Sequence, residues 1–110
     1  MSSSSLTELS INQASQLLLS KKVSSVELTQ AYINKIESID SILHALITFV
    51  PDVALNQARL ADKQISEGLN KALTGIPMVI KDNICTKGIK TTCASKMLQD
   101  FIPPYNATVV

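Results

Sequence analysis

The chain has 110 residues, a formal net charge of +1 and an apolar share of 45%, the profile of one small domain, or part of one, with material for a modest core. So even a charge balance makes no electrostatic case for nucleic-acid binding by this chain itself. Aromatics are confined to Tyr32, Phe49, Phe101 and Tyr105, which leaves Ile, Leu, Val and Ala to build the core.

The opening "MSSSSLTELS" has neither the basic n-region nor the apolar h-region of a secretory signal. A cytoplasmic chain with reduced thiols is the expectation. Ser10, followed three residues later by Gln13, forms a capping-box pattern. Ile11, Ala14, Leu17 and Leu18 then recur at helical spacing up to about Ser20. A second box at Ser24 and Glu27 opens a longer helix to about Ile39, with Leu28, Tyr32, Ile36 and Ile39 as the buried stripe and Ala31 and Ile33 flanking it. Ser38–Ser41 reads as a linker.

"LHALITFV", Leu43 to Val50, is β-branched and aromatic toward its end and predicts a strand. The wider apolar run is short and interrupted by His44 and Thr48, so no membrane span is expected. His44 is a lone histidine beside a strand start, which reads as structural. Pro51 and Asp52 suit the first turn of a helix. That helix runs to about Glu67, with Val53, Ala54, Leu55, Ala58, Ala61 and Ile65 inward and Gly68 as its stop.

From Gly75 onward the helical periodicity disappears. "GIPMVIKDN" makes a turn at Gly75-Ile76-Pro77, then a strand at Met78-Val79-Ile80 that reads as bound for a dry interior. It delivers Lys81 and, at once, Asp82. Two readings stand. Lys81 marks the strand's solvent-facing end, paired with Asp82; or it is desolvated, which disfavours its charged form and makes its amine a general base for a nucleophilic serine. A turn is expected around Lys87-Gly88, and Pro103 and Pro104 disfavour helix before them.

Several late residues invite bland explanations. Lys87, Lys90 and Lys96 fit a solvated face, with a phosphate contact as the other reading. Cys85 and Cys93 are eight residues apart, outside any CxxC pattern and with one histidine in the chain, so no zinc site is expected. Asn106-Ala107-Thr108 matches a glycosylation triplet that means little without secretion.

The element order predicts an α/β fold. N-terminal helices with one strand occupy residues 1–72, and residues 73–110 hold the first extended segments of a sheet. Too few strands are present to close it. The chain also stops on the apolar run "ATVV", so a fragment of a longer protein is expected.

"LTGIPMVIKDNICTKGIKTTCASKMLQDFIPPYNATVV", Leu73 to Val110, resembles the first signature block of the amidase signature family. The likeness rests on Gly75, Pro77, Lys81, Asp82, Asn83, Gly88, Thr91, Thr92, "CAS" at Cys93–Ser95, Leu98, Pro104, Tyr105 and "ATVV". Within that family it is closest to the A subunits of aspartyl/glutamyl-tRNA(Asn/Gln) amidotransferases, and the first 72 residues fit their leading helices more loosely. The resemblance implies that residues 73–110 are the start of a catalytic core, the first strands of its mixed sheet, and that Lys81 is the base of a Ser-cis-Ser-Lys triad in a glutaminase. It implies a carbon–nitrogen ligase that uses glutamine as amido donor, with ammonia passed to a B subunit that uses ATP and magnesium on charged tRNA, and a C subunit wrapping the pair. This chain itself would bind no cofactor.

Departures from the family pattern matter. Both triad serines belong to later glycine- and serine-rich blocks, whereas the glycines here are Gly68, Gly75 and Gly88. Ser95 is the tempting stand-in, but in the family its position lies on a loop near the site; Thr91 and Thr92 are weaker candidates still. Asn106 stands where an acidic residue is more usual, a swap that keeps size and hydrogen bonding. The fragment alone is expected to be inactive. The alternatives are a free-standing amidase acting on a small amide and a non-catalytic truncated product that binds a partner.

Overall fold

The computed structural model describes residues 2–110. They form helices α1 (Ser3–Leu6), α2 (Ile11–Leu19), α3 (Ser25–Leu43) and α4 (Pro51–Ser66), with a 3-10 turn at Lys96–Leu98. Two compact units divide them. One is built from the chain up to His44 together with Val50–Pro77; the other joins Ala45–Phe49 to Met78–Val110.

In the helical unit both capping boxes form. Ser10 Oγ accepts the Gln13 N–H at 3.2 Å, and Gln13 Oε1 accepts the Ser10 N–H at 2.9 Å. Ser24 and Glu27 repeat the exchange at 3.0 and 2.9 Å, so each helix start has two of its orphan amides satisfied. The helix ends are closed as well. After α2, Lys21 N–H donates to Leu18 O at 3.1 Å and Lys22 N–H to Leu17 O at 3.0 Å, a Schellman motif with Lys21 left-handed at φ 57°. After α4 the same pair of bonds runs from Gly68 to Ile65 and from Leu69 to Gln64. There the left-handed position falls to Gly68, which has no Cβ to oppose it.

Helix α3 continues through the predicted linker at Ser38–Ser41 to Leu43. That stretch holds neither glycine nor proline, and serine and aspartate disfavour a helix interior only mildly. The stop is His44, exposed and left-handed at φ 50°, whose N–H still reaches Asp40 O at 2.7 Å. It is the C-cap of α3. Helix α4 begins with Pro51 in its first turn and Asp52 beside it, as the sequence predicts.

The core consists of Leu6, Ala14, Leu18, Val23, Leu28 and Ala31, with Leu9, Leu17, Tyr32, Ile65 and Ile76 packed against it. The face of α3 that it buries is rotated from the predicted stripe. Leu28 is 1% exposed, Tyr32 and Ile36 are half-buried, and Ile39 is exposed, while Ala31 and Ile33 go inside. Small residues, Ser25, Thr29 and Ala31, lie on the buried side of this helix, which packs against both α1 and α4.

The two predicted strands do not form. Among the described residues there is no strand at all. Leu43 ends a helix, and the chain from Ala45 to Phe49 is irregular, with Leu46 and Thr48 half-buried and Ile47 and Phe49 exposed. Met78 and Val79 are 67% and 71% exposed. Composition and alternation report a preference for extended backbone, but a strand also needs a neighbour to take its amides. These segments have the preference without the ladder. Nor is any helix long and apolar enough to cross a membrane among the described residues.

One polar contact ties the helical unit together across a long sequence gap. Asp62 of α4 accepts the Ser25 N–H at 2.6 Å and the Val26 N–H at 3.1 Å, setting a carboxylate on the positive end of α3. Ser25, itself 1% exposed, donates from Oγ to Gly75 O at 2.8 Å. Gly75 is left-handed at φ 87°, and a Cβ there would meet Ser25 Cβ at 3.2 Å and Leu18 Cδ1 at 3.3 Å. A side chain here would be strained by the positive φ and would need its α2 and α3 neighbours to give way by a few tenths of an ångström. Asp62→Ala is expected to destabilise the chain by about 1–2 kcal/mol, and Gly75→Ala by roughly 1–3 kcal/mol. Lys21→Gly, which relieves a left-handed lysine, is expected to stabilise it by up to about 1 kcal/mol. Urea denaturation midpoints check all three signs.

Candidate active site

The second unit carries the signature residues from Lys81 onward, and its organiser is Asp82. Its Oδ1 accepts the Thr92 N–H at 2.8 Å, and its Oδ2 accepts both the Thr92 hydroxyl and, at 3.2 Å, the Ala94 N–H. Its main-chain carbonyl accepts the Cys93 N–H at 2.9 Å. "KDN" and "TTCAS", ten residues apart in the chain, are thereby joined through one residue. The Thr92 hydroxyl is the main reason that the Asp82 carboxyl is held below the ordinary aspartate range. The Thr92 and Ala94 amides add to that effect against a smaller opposing cost of burial.

Both partners of this contact are turns. Ile84 N–H donates to Lys81 O at 3.0 Å, closing a turn over Lys81–Ile84. Ser95 N–H donates to Thr92 O at 2.9 Å, and the two central residues of that turn, Cys93 and Ala94, have φ 51° and 54°. That is the type I′ geometry, for which Asn-Gly is the favoured sequence. Here two residues with Cβ atoms occupy it, and Asp82 takes the amides of both.

Around this centre the chain doubles back. Gly88 N–H donates to Pro103 O at 3.1 Å, Thr91 N–H to Phe101 O at 3.0 Å, and Ala107 N–H to Cys85 O at 2.8 Å. Residues 85–91 and 101–107 therefore run antiparallel, too irregularly to make a ladder. Thr91 is buried; its Oγ1 accepts the Thr86 N–H at 3.4 Å and donates to Ile89 O at 3.3 Å. Asn106 Oδ1 accepts the Lys87 N–H at 2.8 Å, a task an aspartate oxygen would perform equally well. Lys90 pairs with Asp100 at 3.1 Å on the surface, where such a pair contributes little. The Cys85 thiol donates to the Tyr105 hydroxyl at 3.6 Å. A bond donated by the phenol to the Cys85 sulfur, the negative charge of that sulfur as a thiolate and a desolvation cost raise the Tyr105 phenol above its ordinary value.

Lys81 stands at the edge of this arrangement. Its side chain is exposed, and among the described residues it has no ion-pair partner. The pairing with Asp82 considered from sequence is not formed, because that carboxylate is engaged by Thr92 and Ala94. Nor do the described residues bury the approach to Lys81, since Met78 and Val79 lie open. Ser95 is half-buried and precedes the 3-10 turn without a side-chain cap bond. Sequence reasoning missed the central role of Asp82. The signal was present as an aspartate within reach of a Thr-Thr pair, since serine and threonine hydroxyls and turn amides are natural carboxylate partners.

The sequence pattern of the amidase family matches residues 27–110. The chain belongs to that family. Among curated relatives, the A subunit of glutamyl-tRNA(Gln) amidotransferase from Dehalococcoides mccartyi strain CBDB1 is 52% identical over 105 residues, 96% of this chain and 22% of the relative. The protein of the same name from Thermoanaerobacter pseudethanolicus is 51% identical with the same coverage of each chain. That from Ruminiclostridium cellulolyticum is 47% identical, again over 96% and 22%. The chain thus spans 22% of the length of these relatives.

A depressed Asp82 pKa fixes the sign of a pH effect. Its contribution to stability is fully present above the unfolded-state pKa and is lost as pH falls through the lowered folded value. In a carbon-detected titration, the Asp82 carboxyl is expected to have a midpoint below the ordinary aspartate value, and Thr92→Val to bring it back up. A wild-type midpoint at or above the ordinary value would contradict the geometry.

Proposed function

We infer that this chain is the N-terminal part of the glutaminase subunit of a tRNA-dependent amidotransferase. One observation carries the reading: 52% identity over 96% of the chain to a protein named as the A subunit of that enzyme. The "KDN" and "TTCAS" blocks support it, as they are the residues on which the resemblance rests. In this reading residues 73–110 open an α/β catalytic core, and its sheet and both catalytic serines come from the remainder of a longer polypeptide. That remainder also covers Met78, Val79 and Lys81.

The chemistry is amide hydrolysis by covalent catalysis. Lys81, as the free amine, takes a proton through a bridging serine, and the nucleophilic serine it activates attacks the side-chain amide carbon of glutamine. Backbone amides hold the oxyanion. Collapse of the tetrahedral species breaks the C–N bond and releases ammonia, and water then hydrolyses the acyl ester to glutamate. The ammonia passes to a B subunit, where ATP and magnesium activate the carboxylate of Glu-tRNA(Gln) or Asp-tRNA(Asn) for amidation. A C subunit completes the heterotrimer, which works in the cytoplasm. Residues 1–110 alone hydrolyse nothing. A free-standing amidase is the second reading, favoured by the match of residues 27–110 to a family described only as amidase.

In the full-length protein, Lys81→Met is expected to lower the glutaminase rate by about 10²–10⁴-fold, leaving the fold intact by circular dichroism. A glutaminase rate that survives the change would remove Lys81 from the mechanism. The amidotransferase reading expects glutaminase activity to respond to charged tRNA and to the B subunit. Indifference to both favours the free-standing amidase.

A further inference from the structure

Lys81 is exposed, and none of its side-chain contacts fixes where its amine points. What residues 2–110 fix is the backbone from which its side chain extends. On the C-terminal side that backbone is held at successive points. The Lys81 carbonyl accepts the Ile84 N–H, the Asp82 carbonyl accepts the Cys93 N–H, and the Asp82 carboxylate grips Thr92 and Ala94. Thr92 is 5% exposed between the buried Thr91 and the exposed Cys93, so the anchor for this grip is the one inward-facing residue of its turn.

The geometry of the anchoring turn is the second observation. Cys93 and Ala94 are both left-handed, a backbone conformation that residues with a Cβ rarely adopt, let alone in succession. Such strain persists where the surroundings over-determine it. Here Asp82 does so, accepting the amides of both strained residues, one on its carbonyl and one on its carboxylate. A turn needed only to reverse the chain would be relieved by asparagine or glycine. This one is instead closed around the residue that follows Lys81.

We propose that Asp82 and Thr92 are positioning residues for the glutaminase reaction, a clamp that fixes the backbone point from which the Lys81 side chain reaches toward the serine it serves. The proposal rests on the reading of Lys81 as the base. Neither residue touches substrate; each acts through the backbone of Lys81.

The test uses the full-length protein in complex with its partner, and three substitutions of graded severity. Asp82→Asn keeps the shape but puts an N–H₂ in place of one of the two carboxylate oxygens that now accept three donors. Thr92→Val removes only the hydroxyl, and Thr92→Ser restores it. A misplacement of about 1 Å in a catalytic group costs on the order of 10²-fold. Asp82→Asn is therefore expected to lower kcat for glutamine hydrolysis by about 10²-fold and Thr92→Val by about 10-fold, with KM within about 2-fold. Thr92→Ser is expected to retain kcat within about 3-fold of the parent. Folded fraction is read by circular dichroism, and if Asp82→Asn fails to fold, the Thr92 pair decides alone. Unchanged kcat in folded Thr92→Val, a loss confined to KM, or no rescue by Thr92→Ser would overturn the clamp. Lys81→Met separates the two levels. If it kills the rate while the clamp variants keep theirs, the clamp alone is wrong. If it keeps the rate, the reading of Lys81 fails, and the clamp with it.

Discussion

The Asp82 carboxylate is the constraint on which the signature region depends. It joins two turns that are otherwise separate loops, accepting two amides and a hydroxyl while its own carbonyl accepts a third amide. Without it, little would keep Cys93 and Ala94 left-handed or Thr92 inside. The helical unit uses the same device. Asp62 reaches the first amides of α3 from 36 and 37 residues away. In a chain whose buried apolar set is small, aspartates at turn and helix amides supply long-range order that a larger core would supply by packing.

What could be read from sequence follows from how local each signal is. The capping boxes at Ser10 and Ser24, the proline start of α4 and the glycine stop at Gly68 were legible because each is a contact within a few residues. The end of α3 was not, because the serine and aspartate of Ser38–Ser41 suit a linker and a helix surface alike. The predicted strands are absent from residues 2–110 for a deeper reason. Leu43–Val50 and Met78–Ile80 carry strand-like residues, but sheet formation is a property of pairs, and no pairing partner can be seen in one segment. The candidate site was legible to the extent that a local motif names its residues. Lys81 stood out as a charge after an apolar run. The contact that organises the region joins Asp82 to Thr92, a pairing that hydropathy patterns do not encode.

The exposure of Lys81 and the openness of Met78 and Val79 bear directly on the functional reading. Desolvation of this lysine cannot come from residues 2–110 as they are arranged, so in the amidotransferase reading it comes from the rest of a longer polypeptide, of which the chain spans 22% in its relatives. The division of labour is then clear. In that reading this segment would fix the backbone that carries the base, and the remainder would supply the nucleophile, the bridging serine and the dry surroundings.

Amide hydrogen exchange at Thr92, Cys93 and Ala94 in the 110-residue chain tests the Asp82 contact most directly. All three amides donate to Asp82, and the one second acceptor, Thr92 Oγ1 for the Ala94 amide at 3.2 Å, is itself held by the Asp82 carboxylate. Strong protection in the parent chain, lost at Thr92 and Ala94 together in Asp82→Ala, is the result expected. Exchange at the rate of an unstructured peptide in the parent, or protection that survives Asp82→Ala, would contradict the account.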